Sequence, residues 1–207
     1  MDQIINKTID FVKEYFSNEF SGHDFSHTMR VYNLATYIAK KEKADLTLVS
    51  LVALLHDVDD IKISPLTNKN KDNARNFLKK CELEESQILL ICDMISEISY
   101  KGTDTIPAKS LESKIVQDAD RLDAIGAIGI ARAFSYGGNH NRVMYDPEIL
   151  PKLDMNENEY RNHVSTTLNH FYEKLFNLKK LMNTKTAIKI AKRRDKYMRK
   201  YVSTFIK

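Results

Sequence analysis

Two cysteines, four prolines and six glycines are all that 207 residues contain of the types that staple, kink or loosen a chain. Cys81 and Cys92 lie eleven positions apart on segments with helical spacing, and one cross-link adds little to a chain of this size. A reducing, cytoplasmic setting fits that usage. No Ser/Gly/Pro-rich stretch divides the sequence, and no repeat organises it, so one domain over residues 1–207 is expected. No apolar run approaches the roughly 20 residues needed to span a bilayer. The stretch from Met1 to Phe16 carries acids and amphipathic spacing where a secretion signal would be apolar. A soluble, unsecreted protein with no membrane partner is the expectation.

What is present is helical periodicity. Ile5, Ile9, Val12 and Phe16 recur at the spacing of one helix face, and similar patterns continue through most of the chain, which predicts an all-α fold. A second helix should start near Asp24 or Ser26 and run through Val31, Leu34, Ala35 and Ile38 to the Lys40–Lys43 end. Asp45 should cap a third helix, which is apolar at nearly every position from Leu48 to Leu55 and must therefore be enclosed on most sides. Further helices are expected over Asn70–Cys81, Glu84–Glu97, Lys109–Phe134, Asn158–Met182 and Thr186–Phe205, the longer ones open to a bend. The segment Tyr136–Asn156 holds two glycines and two prolines without a sustained period, and reads as an irregular loop or lid.

Net charge is only +4, yet eleven Lys or Arg and a single acid, Asp195, fall between Leu178 and Lys207. The plain reading is a solvated helix face. A nucleic-acid partner ranks last, because the overall charge is modest and no groove-reading motif is present.

His56 and Asp57 follow directly on Leu51-Val52-Ala53-Leu54-Leu55, a polar pair at the end of the most apolar helix. Burying both without partners costs several kcal/mol by order of magnitude. A shared cation removes that cost by making the carboxylate and the imidazole its ligands. Adjacent residues of a helix point about 100° apart, so one ion meets both only at the helix end, with other helices supplying the rest. His27 shares a face with Val31 and Leu34 and so turns inward. Asp120 shares a face with Val116, Asp123, Ala124 and Ala127, on a stretch whose small residues Gly126, Ala127, Gly129 and Ala131 admit close neighbours. Any one of these is more often a hydrogen-bonded core residue, but the combination is specific. Two imidazoles and two carboxylates suit one octahedral divalent ion with open positions, Mn²⁺ foremost, then Fe²⁺, Co²⁺ and Ni²⁺. Mg²⁺ or Zn²⁺ can also occupy such a set, although a closed structural zinc suits it less well.

The order His27, His56-Asp57, Asp120 resembles the HD superfamily of metal-dependent phosphohydrolases. The stretches HDFSHTMRV at 23–31, LLHDVDDIK at 54–62, QDADRLDAIGAIGIARAF at 117–134 and HFYEKLFNLKKLMNT at 170–184 resemble its bacterial YpgQ/YedJ-like branch. The resemblance implies a helical bundle with its core over about 20–135 and C-terminal helices over about 157–205 completing the pocket. It also implies hydrolysis of phosphate esters or anhydrides, with nucleotides, above all nucleoside triphosphates, as substrates. Similarity to the ADxxDA pattern selects Asp120 over Asp118, which points nearly opposite on a helix. His23-Asp24 is a second HD dipeptide, but it precedes its helix, and His23 is better placed for a substrate. No histidine occurs between Val58 and Ala119, so a mononuclear site is expected rather than the two-metal variant.

In such a site, water acidified by the cation attacks phosphorus and a carboxylate takes the proton. Asp60 is the first candidate and Asp24 the second, and each has a helix-cap reading beside the catalytic one. Lys101, on an irregular turn before Gly102, is placed for amide and ammonium to meet an anion together, and Lys174 is a further phosphate contact. Tyr100, Tyr136 and Tyr145 are candidates for stacking on a base, with core packing as the alternative. A module that binds metal and nucleotide without turnover is the alternative to an enzyme.

Overall fold

The computed structural model describes residues 2–18 and 24–207. Every regular element among them is helical, as the periodicity predicts. The chain forms two compact units, Met1–Ser99 with Pro107–Ala119, and Tyr100–Ile106 with Asp120–Lys207. No helix of the described residues is long and apolar enough to cross a membrane.

The first unit is built around the third helix. It contains α1 (Asp2–Tyr15), α2 (Phe25–Glu42), α3 (Leu46–Leu55), α4 (Asp72–Lys80) and α5 (Glu85–Ser96), and α6 (Leu111–Asp123) begins in it. Residues Val49 to Leu55 of α3 are all buried, and α1, α2 and α5 pack around them. Each large aliphatic side chain so enclosed stabilises the fold by about 2 kcal/mol. Asp45 starts α3 by accepting from the amides of Thr47 and Leu48 at 2.8 and 2.9 Å. Asp24 starts α2 in the same way, accepting from the His27 amide at 2.7 Å. α2 ends where Lys43 turns left-handed, with Lys40 and Lys41 in its last turn.

α4 has a cap from outside its own sequence. Lys71 precedes it in a left-handed conformation and offers no side-chain cap, so the carboxylate of Asp59, fully buried, accepts from the amides of Asn73 and Ala74 at 3.0 and 2.9 Å. The Asn73 side-chain amide then ties the 58–71 segment together, donating to the Val58 carbonyl, the Thr67 hydroxyl and the Tyr15 hydroxyl.

The second unit is less regular. After a 3₁₀ turn at Gly102–Asp104 come α7 (Gly126–Asn139), α8 (Glu157–Asn162), a π turn at Phe171–Leu175, the single turn α9 (Phe176–Leu178), a 3₁₀ turn at Lys179–Leu181 and α10 (Lys185–Phe205). α7 packs on α10, and Phe134, Phe171, Phe176, Tyr201 and Phe205 form a chain of ring contacts.

Three expected boundaries change here. The span Lys109–Phe134 breaks between Asp123 and Gly126, because Gly126 adopts φ +83° and the Arg194 stem lies 3.0 Å from where a Cβ would sit. The Arg194 guanidinium donates to the Leu122 carbonyl that the break exposes. Ala127 therefore leaves the helix that carries Asp120, and both it and Ala131 are exposed instead of admitting a neighbour. The expected helix over Asn158–Met182 is interrupted from 163 to 168. There the Thr167 and Leu168 amides bond to the Val143 and Met144 carbonyls, and the hydroxyls of Ser165 and Thr166 serve Asn169. Finally, α7 continues through Asn139, so the irregular stretch begins at His140 and not at Tyr136.

Candidate metal centre

The first unit brings His27, His56 and Asp57 together from two elements. His27 sits in the first turn of α2, oriented by the Asp24 cap, and is fully buried beside Val31. His56 and Asp57 leave the C-terminal end of α3, where the helix stops and its residues can diverge toward a common point. One ligand atom from each of the three lies within 4.8 Å of the others. His27 Nε2 is 3.2 Å and His56 Nε2 3.3 Å from the same Asp57 Oδ2, and all three side chains are at most 5 % exposed.

The donor chemistry of this cluster fits a cation. His56 Nδ1 lies 2.8 Å from the Ala53 carbonyl, which has no proton to give, so that nitrogen carries the N–H. In the neutral ring, Nε2 then turns its lone pair toward the Asp57 carboxylate. Two electron-rich groups at this distance repel unless positive charge lies among them. A hydrogen bond from the opposite ring nitrogen to a carbonyl is also the usual orienting contact of a metal-ligating histidine.

Asp24 and Asp60 flank the cluster in sequence and both perform capping work. Asp60 Oδ1 accepts from the Lys62 amide at 2.9 Å, and its carbonyl receives the Ile63 and Ser64 amides. Both side chains are partly accessible, whereas Asp59 between the cluster and Asp60 is sealed in its cap of α4. Gly22 and His23 lie outside the described residues. On α6, Asp118 is fully buried in the first unit, and Asp120 is half-buried in the second.

The remaining candidates belong to the second unit. Lys174, in the π turn, lies over the rings of Tyr100 and Tyr160 at 5.0 and 5.3 Å, and those rings meet edge to face at 5.3 Å. Burial, and then the neighbouring Tyr160, raise the Tyr100 hydroxyl above its ordinary pKa, so it stays a neutral phenol. Lys101 precedes Gly102, whose φ of +62° and whose approach to the Met155 carbonyl exclude a side chain. The Lys101 amide is committed to Thr105 Oγ1 at 2.9 Å, so the expectation that amide and ammonium act together holds for the ammonium alone. Tyr136 stacks on His140 at 3.8 Å and Tyr145 meets Phe205, contacts that serve packing.

Sequence reasoning missed Tyr160 and the buried Glu173, which accepts from the Lys152 amide and pairs with His163 Nε2 at 3.1 Å. An acid set between Phe171 and Leu175 was the available signal for Glu173.

A helical fold with these donors at the end of a buried helix is the arrangement of the HD-domain superfamily, and the chain belongs to it. The HD-domain family pattern matches residues 24–125. The YpgQ protein of Bacillus subtilis is 35% identical over 194 residues, 93% of this chain and 87% of that protein. A crystal structure from Lactobacillus plantarum superposes with TM-score 0.89 at 37% identity, covering 99% of this chain and 96% of that one. An HD-superfamily hydrolase from Bacillus thuringiensis gives TM-score 0.76 at 39% identity with the same coverage. YpgQ itself, solved in complex with ADP, gives TM-score 0.74 at 31% identity over 97% of this chain and 95% of that one.

Proposed function

We propose that this chain is a metal-dependent phosphohydrolase acting on nucleotides, with nucleoside triphosphates as its best substrates. The observation that carries the reading is the convergence of two buried imidazole nitrogens on one oxygen of Asp57. The ADP complex of its relative YpgQ supports the nucleotide class.

His27 Nε2, His56 Nε2 and the Asp57 carboxylate would hold the ion, and Asp120 is proposed as the fourth ligand because its segment resembles the family pattern. An ion of this kind, Mn²⁺ foremost, lowers the pKa of water and offsets charge on a phosphoryl oxygen. Asp60, partly accessible and three residues past Asp57, takes the proton from the attacking water, with Asp24 as second choice. The new bond forms from water oxygen to phosphorus as the bond from phosphorus to the leaving oxygen breaks. Lys174, held over two tyrosine faces, and Lys101 are assigned to the phosphates, with Tyr100 and His23 as further substrate contacts.

The test is a panel of nucleotides with Mn²⁺, scored separately for orthophosphate and pyrophosphate. Turnover should need the added ion and vanish in His56→Ala and Asp57→Ala while helicity persists. Turnover retained in both variants defeats the proposal. Nucleotide-dependent thermal stabilisation without any product would instead identify a binding module.

A further inference from the structure

The C-terminal helix carries a charge pattern that the metal centre does not use. Ala187, Ala191, Met198 and Val202 bury one side of α10, and α7 packs against this helix. At about 100° per residue, Lys185, Lys189, Lys192, Arg193, Lys196 and Lys200 fall within an arc of about 100° on the other side, along about 22 Å of helix. All six are exposed. None forms an ion pair with an acid among the described residues. The single acid of the helix, Asp195, is buried away from the stripe and bound by Lys179 at 2.6 Å and Arg199 at 3.1 Å. At the edge of the stripe Tyr197 stands 54% exposed.

A solvated helix face ordinarily intersperses both signs, because like charges one turn apart repel. Here the cations follow one another at three- and four-residue steps, none of them ion-paired among the described residues. From this we infer that the face binds single-stranded nucleic acid, its phosphates tracking the cations and a base stacking on Tyr197. Such pairing of a basic track with an exposed ring is how sequence-tolerant strand binding is built. A membrane fits less well, because the apolar side of α10 is buried and cannot enter lipid. An acidic protein surface fits less well too, since the stripe lacks the apolar anchors of a protein interface. Net charge over the whole chain ranks this partner last, and the segregation of the cations on one face reverses that ranking.

The experiment uses the full chain, a fluorescein-labelled 20-nucleotide single strand and anisotropy, without added divalent ion so that hydrolysis plays no part. Affinity should fall on the order of 10²-fold between 50 and 200 mM salt, given a slope of about −0.7 per phosphate contact and about five contacts. Lys189→Glu with Lys196→Glu should weaken binding at least about tenfold and flatten the salt slope by about 1.4. The same charge change at Lys40 and Lys41, exposed at the end of α2, should leave binding within about threefold, which separates the stripe from net charge. Relief of repulsion should leave the thermal midpoint of the stripe variant unlowered, and Lys189→Gln with Lys196→Gln repeats the test without new acids. No binding at 50 mM salt, equal loss in the Lys40/Lys41 control, or tighter binding of a matched duplex or of phosphatidylserine vesicles overturns the proposal.

Discussion

Helix α3 and the segment from 163 to 181 are both largely buried, but by different means. In α3 every residue from Val49 to Leu55 is enclosed, the carboxylate of Asp45 just before it caps the start, and the backbone satisfies itself. Between 163 and 181 the backbone passes through an extended stretch, a π turn and a 3₁₀ turn, held by bonds to Val143, Met144 and Ile149 and by the Glu173–His163 pair. A rigid apolar helix can deliver polar groups only at its end, where His56 and Asp57 are. An irregular segment can present them along its length, as Glu173 and Lys174 show, but it needs specific partners to stay ordered.

That contrast can be broken at several points. The largest effect is expected at the end of α3: His56→Ala or Asp57→Ala should lower the proposed metal-dependent hydrolysis by at least about 10³-fold, because these side chains would hold the ion that acidifies the attacking water. Calorimetric titration with Mn²⁺ should show the accompanying loss of metal binding. In the middle of α3, Leu54→Ala should cost about 3–5 kcal/mol in urea unfolding, since the enclosed helix cannot collapse into the cavity. A cost below about 1 kcal/mol would mean that α3 is not the rigid frame described.

Smaller effects belong to the second unit. Burial works against ionisation of Asp195, yet the hydrogen bonds and charges of Arg199 and Lys179 prevail and hold its carboxyl below the usual carboxylate range. A depressed carboxyl stabilises the fold above its unfolded pKa of about 3.9, and that contribution disappears as pH falls through the folded value. Asp195→Asn should therefore cost about 1–2 kcal/mol at neutral pH, with the gap from wild type closing below about pH 4. The smallest change is expected at the tyrosines around Lys174. Tyr160→Leu removes one cation–π face worth about 0.5–1 kcal/mol and should raise KM for nucleotide severalfold with kcat nearly unchanged. A fall in kcat instead would place Lys174 at the reacting atoms.

Much of this was legible in the residues themselves. The caps at Asp24 and Asp45, the burial of α3, and the inward turn of His27 all followed from short-range pattern, because cap chemistry and helical period act over a few residues. The cluster of His27 with His56 and Asp57 was legible because a polar pair closing an unbroken apolar run is carried into the interior and must meet partners there. Asp59 was not legible as a cap, since the amides it serves lie 14 and 15 residues later, and the break before Gly126 depends on Arg194, far along the chain.

By itself, the sequence determined that the protein is helical, which helix is enclosed, and which residue types could share a cation; periodicity and local capping suffice for these. Tertiary structure alone decided that two imidazoles from different helices meet one carboxylate oxygen and that 163–168 leaves the helical path. Those outcomes depend on contacts between residues distant in the chain, whose geometry no local pattern encodes.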